Sequence, residues 1–355
     1  MILQEPLLVT LAKLVDCIPM TQPAQKRKRG HPKVYPDQLL VKALVIMVVR
    51  RLYSAYSLLA FLEQDTPLTK QLRELLTLSD GRFPSRRTWE RRLKTLPETL
   101  PGLIGALGRH LVALLQPWAQ TGRAAALDST MLRANGGVWH KKHREQGIVP
   151  HSSIDTEAHW SKSGYHGWWY GWKLHFATAV AAIWIPLAAE LTVANTYDAT
   201  VAPDLIRELP LAVRYVLGDH HYNDEEGKVL TSCRLSDRLL ITSQAGPYPH
   251  TGDGVPVRRV LHRLRSLAIE PFNGLFKNIF DWNGQVPVKG LHKVRLIVLG
   301  AVLLYQLVLL YQFQNNLPLG KGIKALRIVW DFAQTMSPCR GVDSSREAGV
   351  GRRGS

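Results

Sequence analysis

Three carboxylates stand out for the chemistry they could do together. The apolar run Ala124-Ala-Ala-Leu127 leads into Asp128, and Tyr215-Val-Leu-Gly218 leads into Asp219. Such runs read as short buried strands, each with an acid at its end. Glu270 lies in a later segment, His262 to Lys277, that begins Arg-rich and turns apolar. Carboxylates gathered from three places make a hard, oxygen-lined site for two divalent cations, Mg²⁺ or Mn²⁺. A pair of such ions can activate an attacking oxygen, polarise a phosphorus centre and steady the leaving oxygen of a phosphodiester. Asp155, Glu157, Asp198, Asp224, Glu225 and Glu226 follow no apolar strand. Of these, Asp198 reads as a helix cap, and Asp224 to Glu226 as an exposed helix start.

The elements that must position the acids follow from periodicity. Strands are expected at 123–132, 171–180, 185–193, 214–217 and 238–242, and helices at 201–209, 222–231 and 291–314. The strand at 214–217 follows a helical crossover and so should run parallel to the first. Pro271 disfavours helical geometry at Glu270, which places that acid just before a helix or at a kink. Residues 135–167 read as a long polar loop or insertion, and 244–256 as a Gly/Pro turn region. Upstream, helices are expected at 1–20, 37–51, 53–63, 66–76, 85–96 and 101–118, with Asp37 and Ser85 as caps. The chain therefore divides into a helical region at 1–118 and an α/β domain at 119–316. A C-terminal helix at 317–336 and a disordered tail at 337–355 follow.

Charge points to the partner. Lys and Arg number 45 against 28 acids, a formal +17 over 355 residues, which favours a polyanion. The arm 23–36 holds Lys26, Arg27, Lys28, Arg29 and Lys33 among Pro and Gly, and suits phosphates or a minor groove. Helices within 54–96 could form a helix-turn-helix-like unit presenting Arg86, Arg87, Arg91 and Arg92. Trp139, Trp160, Trp168, Trp169 and Trp172 alternate with Lys141, Lys142, Arg144, Lys162 and Lys173, which suits a DNA-facing surface. Cys17, Cys233 and Cys339 form no metal-binding pair, and the histidines of 140–175 match no standard zinc spacing. Neither a P-loop nor a dinucleotide fingerprint is present, so no nucleotide cofactor is expected. No signal peptide is evident. The apolar stretch Leu296–Tyr311 is shorter than the roughly 20 residues of a membrane span and reads as a buried core helix.

Asp128-Ser-Thr, Asp219-x-x-Tyr222 and Glu270 with Lys277 seven residues on resemble the DDE transposases of bacterial insertion sequences. Within these the chain is most similar to the groups with a Tyr-Arg-Glu-Lys signature around the third acid. Tyr170-Gly-Trp-Lys-Leu-His175 also resembles the strand that follows the first acid in that family. The resemblance spans roughly 120–315. It departs at two signature places, where Ser266 stands for Arg and Arg263 for Tyr; Arg263 and Arg265 are the candidate substitutes.

The family implies a ribonuclease-H-like catalytic domain, here behind a helical DNA-binding region. It implies Asp128, Asp219 and Glu270 as catalytic metal ligands. DNA contacts are expected from Lys277, Arg265, Arg263, Lys173, Tyr222, Trp172, Arg86, Arg87, Arg91 and Arg29. The implied partners are inverted-repeat ends and target DNA, with a homodimer pairing two ends in the cytoplasm of a bacterium. The implied reaction is cleavage that frees a 3′-OH, followed by strand transfer. The competing readings are a non-catalytic DNA-binding repressor on a decayed scaffold and a structure-selective Mg²⁺-dependent nuclease.

Overall fold

A computed structural model describes residues 6–20, 34–118, 123–149, 151–163, 167–242, 254–321 and 323. Most of the basic arm, including Arg29, most of the turn region after 242, most of the expected helix at 317–336 and the tail lie outside the described residues.

The sheet is built on β1 (Ala124–Arg133), which is central and buried along its first four residues. On one side it pairs antiparallel with the long β3 (Gly167–Ala179), which in turn pairs antiparallel with β4 (Pro186–Val193). On the other side it pairs parallel with β5 (Tyr215–Gly218), and β5 pairs parallel with β6 (Leu239–Thr242). The polar stretch expected as a loop contributes a sixth strand, β2 (His159–Ser163), on the outer half of β3. That correction has a physical cause: Trp160 packs on Tyr170 and Trp168 across the hairpin, so cross-strand aromatic pairs hold a strand whose sequence lacks clean alternation.

Helices α1 to α6 (Leu7–Leu14, Asp37–Arg50, Ala55–Leu62, Pro67–Leu75, Arg86–Thr95, Leu100–Leu115) precede the sheet. Their starts are set locally. Ser54 with Ser57 and Thr66 with Thr69 make reciprocal capping boxes, and Ser85 accepts from the backbone N–H of Thr88 as expected. The short α7 (Lys141–Glu145) lies between β1 and β2, and α8 (Asp198–Glu208) links β4 to β5. The helix expected at 222–231 forms later, as α9 (Lys228–Leu235); a single 3-10 turn at His220–Tyr222 precedes it. Helix α10 runs from Gly254 to Phe280 straight through Pro271, so Glu270 stands inside a helix rather than before one. Phe272 and Phe276 anchor it edge-on to Phe176 of β3, which holds the helix to the sheet across the hydrogen bond that Pro271 cannot make.

Helix α11 (Leu291–Gln314) is long and apolar enough to cross a membrane, yet 89% of its most apolar window is buried inside the protein. Its polar interruption, Gln306, donates to the carbonyls of Ile104 and Pro186, as a core helix requires. α11 packs against α1, α2, α6 and β4, so one continuous hydrophobic cluster runs from Leu8 to Ile323. A C-terminal helix thus supplies the wall on which N-terminal helices pack.

Helix α6 lies directly on β4. A Cβ at Gly108 would come within 3.0 Å of the Pro186 carbonyl and 3.1 Å of Leu187 Cα, whereas one at Gly102 meets nothing within 4 Å. Gly108→Val should therefore lower stability by about 2 kcal/mol through overpacking. Gly102→Ala on the same helix should raise it by up to about 1 kcal/mol through helix propensity. Chemical denaturation of the two variants checks this; equal effects would mean that α6 does not contact β4 backbone to backbone.

Candidate active site

The register of β1 with β5 matches Ala126 to Leu217. Two residues further along each parallel strand lie Asp128 and Asp219, so the two acids emerge side by side at the same end of the sheet. Side chains alternate across a strand. Asp128 pairs with Phe176, whose ring meets α10, so Asp128 faces the helix that carries Glu270.

One guanidinium spans the gap. Arg265 is buried, with Nη1 4.0 Å from Asp128 Oδ1 and Nη2 3.5 Å from Glu270 Oε1. Asn273, one turn beyond Glu270, donates from Nδ2 to Asp128 Oδ2 at 3.1 Å. Burial raises the pKa of Asp128 to about 7; Arg265 and the Ser129 amide oppose that rise, while Asp219 and Asp198 add to it. Asp219 caps the 3-10 turn after β5 by accepting from the His221 amide at 2.9 Å. Tyr222, at the end of that turn, is buried against Gly218, where a Cβ would sit 2.8 Å from its side chain. Burial drives the Tyr222 phenol pKa up, reinforced by Asp198, Asp128 and Asp219.

Several buried polar atoms here have no hydrogen-bond partner among the described residues: the Tyr222 hydroxyl, Nε and Nη1 of Arg265, and Oδ1 of Asn273. Orphaned buried groups around clustered acids fit a site that admits hydrated cations or phosphate oxygens. The carboxylates of Asp128, Asp219 and Glu270 are the donor type that suits Mg²⁺ or Mn²⁺.

On the opposite face of the sheet lies a residue that sequence reading assigned to capping. Asp198 opens α8 but makes no side-chain cap bond. Its Oδ1 lies 3.3 Å from Lys173 Nζ and 3.2 Å from His175 Nδ1, and the His175 Nε2 side meets Thr192 Oγ1 at 2.9 Å. Burial pushes the Asp198 pKa up, but the His175 ring, Lys173 and Ser129 outweigh it and hold the carboxyl down at about 2. Burial in turn lowers the pKa of His175.

The structure brings together some expected DNA-contact residues and not others. Arg265 and Tyr222 are inside the site, and Lys277 is part-buried, its pKa lowered by burial. Arg263 is exposed. Lys173 is not a surface cation: it also donates to the Thr196 carbonyl at 2.8 Å. Trp172 is wholly buried in the core and Trp169 is buried as well, which removes both from a DNA-facing surface; Trp168 is 65% exposed, with Lys162 over its ring. On α5, Arg87 and Arg91 are exposed, Arg86 pairs with Glu90, and Arg92 turns inward to Asp37 and the Tyr35 carbonyl. Asn273 was missed in sequence; its position three residues after Glu270 on one helix is the signal that finds it.

No curated protein and no solved structure matched the chain. A protein-family comparison matched residues 119–235 to the family described as Transposase DDE domain. That segment contains β1 through α9 with Asp128 and Asp219, and the sheet order around it is that of a ribonuclease-H-like fold. Over residues 119–235 the chain is thus similar to the DDE domain of transposases.

Proposed function

We propose that the protein is a transposase of a bacterial insertion sequence, of the Tyr-Arg-Glu-Lys type, that cuts DNA at element ends and joins them to target DNA. The observation that carries this is the Arg265 side chain, set between Asp128 of β1 and Glu270 of α10, with Asp219 alongside in register. Acids from three separate elements thus reach one end of one sheet. Asp128, Asp219 and Glu270 would hold two divalent cations, which when bound supply Lewis acidity for phosphodiester cleavage. Asn273 keeps the Asp128 carboxylate turned towards α10. Arg265, whose Nε and Nη1 make no hydrogen bond among the described residues, can donate to the oxygens of a bound phosphate. Lys277, two turns beyond Glu270, adds a point charge for the same strand. Arg87 and Arg91 on α5 supply contacts away from the reacting centre, in keeping with the net charge of +17. Two copies acting on paired ends belong to the same reading.

The test uses the full chain and a duplex bearing the inverted repeats that flank its gene. With Mg²⁺ the wild type should nick at the repeat end and expose a 3′-OH, and pre-cut ends should join to a plasmid. Glu270→Ala should lose both while still binding the duplex. Binding affinity should fall with salt, with a log–log slope of about −0.9 per phosphate contacted. Binding without any cleavage by the wild type would favour a repressor, and cleavage without joining would favour a nuclease.

A further inference from the structure

Next to Asp219 the chain places two imidazoles that the carboxylate reading does not use. His220 and His221 form the 3-10 turn that Asp219 caps, and both rings are exposed, with centroids 3.8 Å apart. One ligand atom from each of Asp219, His220 and His221 lies within 4.8 Å of the other two. The turn is fixed at both ends: the Asp219 carboxylate accepts the His221 amide, and the buried Tyr222 side chain pins the far side. Neither imidazole hydrogen-bonds to another side chain among the described residues. Their nitrogens are thus not committed to holding the turn in place.

We propose that Asp219, His220 and His221 form a mixed nitrogen–oxygen site for a transition-metal dication of the zinc type. It rests on the reading above only in that Asp219 would be shared between this site and the carboxylate pair. Metal–ligand bonds of about 2.1 Å put ligand atoms roughly 3 to 4 Å apart. Two exposed rings on a fixed turn can close the remaining distance by side-chain rotation alone. Imidazole nitrogen shifts preference away from Mg²⁺, which favours oxygen donors, and towards the later first-row ions. An ion here would draw the Asp219 carboxylate out of the oxygen-only set, so zinc binding and Mg²⁺ use at Asp219 compete.

The experiment titrates the full-length chain with Zn²⁺ alone, and again with Mg²⁺ in excess, reading binding by calorimetry. The wild type should bind zinc, and Mg²⁺ excess should weaken that binding. The double variant His220→Asn/His221→Asn should bind zinc at least tenfold more weakly, while His140→Asn, an exposed histidine elsewhere, should change affinity less than twofold. Both histidines are exposed, so the variants should fold, and circular dichroism confirms it. Unchanged zinc affinity in the double variant overturns the proposal, as does an equal loss in His140→Asn, which would mark adventitious surface binding. The two readings fail separately. Zinc loss in the double variant with no Mg²⁺-dependent cleavage by the wild type sinks the transposase reaction and leaves this site standing. Cleavage by the wild type with unchanged zinc affinity in the double variant does the reverse.

Discussion

Asp128→Asn should make the metal-free protein more stable while abolishing the Mg²⁺-dependent cleavage proposed for it. Asp128 is a carboxylate taken largely out of water, and burial lifts its pKa to about 7 against an ordinary value of 3.8. A group whose folded pKa is raised holds its proton more tightly in the folded state. Folding stability from this residue is therefore full below about pH 4, falls as pH rises towards 7, and stays low above it. Asparagine keeps the shape and can still accept from Asn273 Nδ2, but carries no charge to bury. At pH 8 in chelator the variant should gain about 2–4 kcal/mol, and at pH 4 it should match the wild type. Added Mg²⁺ should stabilise the wild type by mass action and leave the variant unmoved, which narrows or reverses the gap. Cleavage should fall by more than the roughly 10- to 100-fold expected for losing an outer partner of a metal ligand. Urea denaturation at the two pH values, with and without Mg²⁺, reads the first three outcomes, and end nicking reads the fourth. A variant no more stable than wild type at pH 8 would mean that ionised Asp128 is not penalised by its surroundings, and the electrostatic account of the site would fail.

The strands that carry Asp128 and Asp219 could be read from local pattern. Apolar runs ending in Asp128 and Asp219 are strands because four consecutive apolar residues between turn signals suit a sheet covered on both faces. Their adjacency then follows from a parallel crossover. The helical setting of Glu270 was harder to read, because Pro271 argues locally against the helix that tertiary packing of Phe272 and Phe276 on Phe176 enforces. Trp172 and Lys173 were grouped on one DNA-facing surface, although neighbours in a strand point to opposite faces. The structure separates them accordingly, Trp172 into the core and Lys173 to Asp198. Period-two alternation carried that answer, and the high density of Trp and Lys obscured it. The Lys173–Asp198–His175 contact itself joins β3 to the start of α8, and no spacing in the sequence encodes a meeting between residues over twenty positions apart.

That contact supports the second large prediction, and the magnitude decides between two roles. As a helix cap, Asp198 would be worth about 1 kcal/mol. As the shared partner of two cationic or ring nitrogens it should be worth more. Lys173 and Asp198 side chains are only 13% and 16% exposed, and His175 is fully buried. Removing the carboxylate leaves the Lys173 ammonium on the Thr196 carbonyl and takes from His175 Nδ1 its contact with Asp198, and stranding one member of a largely buried pair costs about 3 kcal/mol or more. Asp198→Ala should therefore destabilise the protein by about 3 kcal/mol at pH 7. The pH dependence has the opposite sense to that of Asp128. The Asp198 pKa is held at about 2, so its contribution is present above about pH 4 and lost as pH falls through 2. Wild type and Asp198→Ala should then converge in stability towards the acid limit and diverge at neutrality. Asp198→Asn, which can still accept from Lys173 or His175 but brings no charge, should fall between them. Denaturation at pH 7 measures the difference: a loss of about 1 kcal/mol in Asp198→Ala returns the residue to the capping role. A loss near 3 identifies it as the ionic tie that fixes β3 and α8 beneath the strand carrying Asp128. Because Ser129, next to Asp128 on β1, also helps hold the Asp198 carboxyl ionised, loosening this tie should reach the strand carrying Asp128, and Mg²⁺ should stabilise Asp198→Ala less than it stabilises the wild type.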